Sequence, residues 1–159
     1  MPVPLFPALD LQGNTLSEHC VFCSIVNGAE PASIVFEDAL TMAFIDLRQF
    51  NAGHTLVVPR AHIPDIRDLD DATGAALMAT TARIARAVSS AFPNDGLSLW
   101  QSVGPAAFQE VPHLHFHVHP RLPGDGVLDV YPSAPPTPDR QDLEGYAIRL
   151  RQQLRLTAR

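Results

Sequence analysis

The amino-acid sequence predicts an α+β fold, a five-stranded and mainly antiparallel sheet with one long packed helix and a carboxy-terminal helix. Three observations carry that expectation. Five short β-rich runs are separated by polar or Gly-containing turns, the stretch Asp71 to Ala91 has helical periodicity, and a second helical stretch follows Asp139. At 159 residues the chain is long enough for one domain with a real core and too short for two comfortable ones.

Residues 1 to 16 carry three prolines and little periodicity, so they read as a tail or surface strap, with a single domain over 17–159. Ser33 to Phe36, Thr41 to Ile45 and Thr55 to Val58 read as antiparallel strands, the last ended by Pro59. In the long helix Leu77, Thr81, Ile84 and Val88 share one stripe. Asp68, Asp70 or Asp71 is available to cap its start, and Phe92-Pro93 ends it. Gly96 to Val103 and Pro112 to His119 read as two further strands. Pro120 to Pro138 is a Pro- and Gly-rich loop, and Leu143, Tyr146, Ala147, Leu150 and Leu154 form the apolar face of the final helix.

A formal net charge of -6 argues against the phosphate-neutralising surface that nucleic acid binding needs, although local donors suffice for a single nucleotide. No stretch approaches the ~20 apolar residues of a membrane span, and Met1 to Asn14 lacks the basic start and apolar run of a signal peptide. A soluble cytoplasmic protein is expected, without membrane partners. The only cysteines, in Cys20-Val-Phe-Cys23, suit a metal or a redox pair better than a secreted disulfide framework.

Four of the seven histidines fall at His113, His115, His117 and His119. Alternate side chains of a strand share a face, which puts the imidazoles on one side and Leu114, Phe116 and Val118 in the core on the other. Near neutral pH an imidazole serves as nucleophile, acid or metal ligand, according to its hydrogen bonds. A three-histidine zinc site that activates water remains open at this point.

Phe36-Glu-Asp38, Ala43-Phe-Ile-Asp46, Gly53-His-Thr-Leu-Val-Val-Pro59, His62-Ile63 and Gln109-Glu-Val-Pro-His-Leu-His-Phe-His117 occur in an order and spacing that resembles the histidine-triad (HIT) family. The resemblance spans about residues 18 to 121, and His119 departs from the apolar residue the family has there. It implies a HIT-like sheet and a nucleotide hydrolase or nucleotidyltransferase, of the phosphoramidase or dinucleoside polyphosphate hydrolase type. In that chemistry His115 attacks the α-phosphate and forms a transient nucleotidyl-histidine that water resolves. The His113 carbonyl would hold the other ring N–H of His115. His117 would contact the phosphate and the leaving group, and His54 would be an additional active-site histidine, unless it is an ordinary strand-start residue.

By the same resemblance Asp46 accepts from the ribose hydroxyls, although a turn-forming Asp before Leu47 would look the same. Phe22, Ile25, Leu47 and Leu56 match positions that sandwich a base, here of a purine nucleotide, and Gln109 matches a phosphate contact. Ser102 stands where many members carry an Asn that contacts the nucleotide. Phe108 replaces a usual Gly that permits positive φ, and Glu110 replaces Ser or Thr. Phe108 is therefore expected to wall the leaving-group side, and Glu110 to turn away from it. The C-x-x-C marks the bacterial type of member and implies a structural zinc on Cys20, Cys23, His62 and His113, with no organic cofactor. Free thiols, or His19 as another ligand, are the alternatives. Family members commonly pair as homodimers. The rivals are a zinc-dependent hydrolase whose metal sits on the histidine strand, and a nucleotide-binding module with weak activity.

Overall fold

The computed structural model describes residues 8–9, 15–16, 20–127 and 133–157. The chain divides into two compact units, Met1–Val127 and Leu128–Arg159, and each is described by itself. His19 lies outside the described residues.

In the first unit, β1 (Ala8–Leu9) and β2 (Thr15–Leu16) form a short antiparallel pair. The main sheet has the order β3-β4-β5-β7-β6, with every neighbouring pair antiparallel. Its strands are β3 (Ile34–Glu37), β4 (Thr41–Ile45), β5 (Thr55–Pro59), β6 (Gly96–Trp100) and β7 (Phe116–Arg121).

The central strands β4 and β5 are buried almost end to end, because both faces of the sheet are covered. Alternation sends Met42, Phe44, Leu56 and Val58 to one face, where they meet Phe22, Cys23 and Val26 of the short helix α1 (Val21–Val26). Ala43 and Val57 point the other way, into a cluster with Leu114, Val118 and the Leu77, Ile84 and Val88 side chains of α2 (Asp71–Ala91). Each such aliphatic side chain contributes about 1.5–3 kcal/mol on full burial. The helix has the expected bounds and the expected stripe. Asp70 caps it by accepting from the Thr73 N–H at 2.9 Å, and the extended Phe92 is the conformation that Pro93 imposes on its predecessor.

Two strands differ from the sequence expectation. β6 stops at Trp100 rather than Val103, before Gly104 takes a φ of 75° ahead of Pro105. The histidine strand begins at Phe116 rather than Pro112, because the preceding segment bonds elsewhere. The His113 N–H goes to Val111 and the Leu114 N–H to Ile63. The histidines also do not form an exposed face. His113, His115 and His119 are only 0%, 6% and 1% accessible, since their side of the sheet is covered too.

In the second unit Asp139 accepts from the Asp142 N–H at 2.9 Å and so caps α3 (Arg140–Thr157). Of its apolar face, Leu143, Tyr146, Leu150 and Leu154 are exposed, and Ala147 is half-buried. No helix among the described residues is long and apolar enough to cross a membrane.

Gly53 begins the approach to β5 with a φ of 104°, and a Cβ there would lie 2.5 Å from Cδ2 of Phe92. Positive φ and overlap act together, so Gly53→Ala is expected to cost about 2–4 kcal/mol. Denaturant unfolding checks this, and an unchanged midpoint would contradict the packing of Phe92 on Gly53.

Candidate functional site

A buried neutral imidazole has one N–H, and that hydrogen needs an acceptor. The acceptors here are main-chain carbonyls, and they set the tautomers. His113 donates from Nε2 to Pro59 at 2.9 Å, which leaves Nδ1 bare. His115 donates from Nδ1 to the His113 carbonyl at 2.7 Å, which leaves its Nε2 lone pair free. His54 donates from Nδ1 to Arg48 at 3.0 Å, so its Nε2 accepts from Nδ1 of His117 at 2.9 Å. His119 donates from Nδ1 to Pro120 at 2.8 Å, while its buried Nε2 has no hydrogen-bond partner.

Burial also favours the neutral forms of His113, His115, His117 and His119. It holds the His113 pKa down to about 4 and lowers that of His115, although the His113 carbonyl bond partly offsets the latter. His117 is held down to about 3, first by burial and then by its neighbours His115, His54, Arg48 and His119. A neutral His115 with a free Nε2 is chemically a nucleophile.

The segment between β4 and β5 brings the remaining groups in. Asp46 is buried, accepts from the Arg48 N–H at 2.8 Å, and keeps Oδ2 at 3.6 Å from Nδ1 of His54. Asp46, His54 and His117 present side-chain atoms within 4.8 Å of one another. Gln49 braces this loop: its Nε2 donates to the carbonyls of Asp46 and His54, and its Oε1 accepts from the N–H groups of Gly53 and His54. Asn51 donates to the Pro120 carbonyl at 2.9 Å and to Asp125 at 2.7 Å. Asp125 also pairs with Arg121, which holds its carboxyl well below the usual range. The loop is thereby tied to the end of β7.

The other expected site residues divide. Phe22 and Leu56 are buried in the core cluster on the α1 face and Ile25 packs against it, but Leu47 is 97% exposed. Ser102 is half-buried in the turn after β6. The carboxamide of Gln109 is held by backbone groups, accepting from Gly104 at 2.8 Å and donating to Pro64 at 2.8 Å, so it braces its loop. Glu110 does not simply turn away. It pairs with Arg48 at 2.7 Å, joining the loop after β4 to the segment before His113, and Arg48 keeps its carboxyl below the usual range. Phe108 keeps the left-handed conformation expected of Gly, at φ 60° and ψ 33°. The residue is 88% exposed. Such a residue stores about 1–3 kcal/mol of strain.

Cys20, Cys23, His62 and His113 bring four candidate ligand atoms within 4.8 Å of one another. The bare Nδ1 of His113 lies 3.5 Å from each sulfur, and Nδ1 of His62 lies 3.2 Å from Cys23 Sγ. Tetrahedral zinc, with bonds of about 2.3 Å to sulfur and 2.0–2.1 Å to nitrogen, places S and N about 3.6 Å apart. The four residues therefore fit that ion in donor type, spacing and tautomer.

Sequence reasoning missed Gln49, Asn51, Asp125, Arg48 and Trp100. Asp125 carried a faint signal, standing between Gly124 and Gly126 in a turn. Trp100 became visible only through pairing, which sets it opposite His117 on β7 with the rings 4.4 Å apart.

The profile of the HIT domain matches residues 27–124. An adenosine 5′-monophosphoramidase of Schizosaccharomyces pombe is 32% identical over 76% of this chain and 88% of its own. The crystal structure of a HIT family protein from Bacillus anthracis superposes with a TM-score of 0.81 at 31% identity, covering 87% of this chain and 99% of that one. A zinc-bound histidine triad family protein from Mycobacterium smegmatis is 41% identical, with a TM-score of 0.65 over 80% of this chain and 88% of that one. With this fold, this run of histidines and a domain match over most of its length, the chain belongs to the HIT family.

Proposed function

We propose that the protein hydrolyses or transfers a nucleoside monophosphate group through a nucleotide held covalently on His115. The observation that carries this reading is the 2.7 Å bond from His115 Nδ1 to the His113 carbonyl, which presents Nε2 as a lone pair in a buried site. The Nε2 lone pair attacks the α-phosphorus and forms an N–P bond, while the bond to the leaving group breaks and its electron pair departs. His117, protonated on Nε2, supplies the proton that the leaving group takes up. The negative charge of the phosphate favours that form against the burial that opposes it. Water then attacks phosphorus and gives a proton to Nε2 of His117, while the N–P bond breaks and its electron pair returns to Nε2 of His115. Asp46, with Oδ2 not used by the Arg48 N–H, accepts from the ribose hydroxyls. The relative named as an adenosine 5′-monophosphoramidase supports an adenosine phosphoramidate as the first substrate to try.

A catalytic metal on the histidine strand would need its imidazoles to converge. They divide among different partners instead: His113 faces the cysteines and His117 faces His54, so the Asp46, His54 and His117 group, whose ligand atoms lie within 4.8 Å of one another, draws a single imidazole from the strand.

We also infer that zinc occupies the Cys20, Cys23, His62 and His113 cluster, where it would tie α1 to the segment before β7 without entering the chemistry. The zinc-bound relative supports this assignment.

Three outcomes are expected. Native protein turns over a fluorogenic adenosine phosphoramidate and gives an acid-quenched protein–nucleotide adduct by mass spectrometry, while His115→Ala does neither. Equal rates in the two would remove the mechanism, and no turnover of any nucleotide would favour a binding module. Metal analysis finds close to one zinc per chain, and chelation lowers the melting temperature, whereas less than about a tenth of an equivalent without loss of stability on chelation would sink the zinc assignment. Acid weakens the fold: between the unfolded histidine value of about 6.5 and the native value of about 3 for His117, only the unfolded chain binds the proton. Stability is therefore full above about pH 6.5 and falls as pH drops, by about 1.4 kcal/mol per unit for this histidine. Equal denaturant midpoints at pH 7 and pH 4.5 would contradict it.

A further inference from the structure

We propose that Trp100 is a positioning residue for His117, its indole face fixing the plane of that imidazole and stabilising the imidazolium formed when His117 handles the leaving-group proton. The proposal rests on the catalytic reading above and adds a residue that no motif contains. Trp100 ends the edge strand β6 directly opposite His117. The two rings are nearly parallel, 8° apart in orientation and 4.4 Å between centroids. His54 stacks more loosely on the same indole, at 5.6 Å and 30°.

This geometry has two consequences. A ring laid flat on an indole cannot swing about its side-chain bond without losing the stack, so Nδ1 stays on His54 at 2.9 Å and the ring's other nitrogen keeps one direction. An indole face also attracts a cation placed over it, and so favours protonated over neutral imidazole. That contribution matters because the surroundings are mixed. His115 and His119 on its own segment, His54 at the head of β5 and the Arg48 guanidinium disfavour a second proton, as burial does first of all. On the other side, the Asp46 carboxylate, after β4, brings an oxygen within 4.8 Å of the His117 ring nitrogen. The indole adds stabilisation without adding an anion that would repel the phosphate.

The test compares the full-length native protein with Trp100→Leu and Trp100→Phe. AMP serves as the bound probe in NMR, and an adenosine phosphoramidate serves as substrate. In the native protein the His117 ring protons are shifted upfield by the indole, and in Trp100→Leu they return toward ordinary positions. With AMP bound, the His117 pKa falls by about half to one unit in Trp100→Leu, as expected for loss of a cation on an aromatic face. The basic limb of the kcat profile moves to lower pH by the same amount. Turnover falls about five- to tenfold, with KM changed less than about twofold, because the interaction strengthens as the proton is handled. Trp100→Phe, which keeps an aromatic face, recovers a large part of each change. A merely structural tryptophan would change melting temperature without moving the His117 pKa or the kcat limb. Unshielded His117 protons, or the same His117 pKa in the native protein and Trp100→Leu, overturn the proposal. If Trp100→Leu does not fold, the native shielding and the pKa of Trp100→Phe decide it. Full activity in His115→Ala overturns the catalytic reading instead, and leaves the shielding and pKa measurements standing as the test of the stack.

Discussion

An imidazole removed from water keeps a hydrogen that needs an acceptor, and the arrangement of this site depends on where those acceptors lie. The carbonyls of Pro59, His113, Arg48 and Pro120 each take the N–H of a different histidine. A neutral ring that donates from one nitrogen has a lone pair on the other. Choosing the carbonyl therefore chooses which nitrogen can bind a metal, attack phosphorus or accept a proton. An unsatisfied buried polar group costs about 1–3 kcal/mol, enough to hold each ring in one tautomer.

The carbonyls stay in place because the backbone around them is tied elsewhere. Pro59 ends β5, the central strand, whose residues are buried on both faces. Arg48 lies in a loop that would be mobile if left to itself, but Gln49 closes it with four bonds to the backbone and Asn51 ties it to Pro120. Pro120 in turn lies on β7, paired with Leu97 of β6. Pairing of β5 with β7 sets His117 opposite Leu56, and a slip of one residue would send every imidazole of β7 to the opposite face of the sheet. Register is well specified here because Val57 and Val118 are needed in the core on the α2 side.

Much of this was legible in the sequence. The α2 stripe of Leu77, Thr81, Ile84 and Val88 and its proline-flanked end follow from local rules. The fixed spacing around Gly53-His54 and His113-Leu-His-Phe-His117 carried the family resemblance. What the sequence did not expose depends on long-range pairing. Pattern alone put the imidazoles on the side away from Leu114, Phe116 and Val118, and it does not reveal that α1 covers the sheet on the face opposite α2. Local turn chemistry could not reveal that Pro112 would delay the strand to Phe116, because that depends on where the His113 and Leu114 N–H groups find partners. Trp100 has no motif around it, and its role arises from pairing with His117. Phe108 shows the opposite case. The sequence identified correctly that a left-handed position is hard for Phe, and the chain adopts it nonetheless. The loop is held in that shape by Gln109 and Gly104 rather than by the preference of the residue at its turn.

His113 links the two halves of the site. Its ring donates to Pro59 and turns Nδ1 toward Cys20 and Cys23, while its carbonyl accepts from His115. The ring and the carbonyl belong to one residue, so a force that moves the ring relative to α1 also moves the acceptor that orients His115. The segment before β7 is also held by the Leu114 N–H on Ile63, the His113 N–H on Val111 and the burial of Leu114. A metal on the four-residue cluster would hold the ring from the α1 side, and the Pro59 carbonyl holds it from β5. The distance from metal centre to nucleophile is then a single peptide unit and a hydrogen bond. On the proposed reading, a metal at the start of this helix of six residues would fix the aim of His115 without contributing an atom to the reaction.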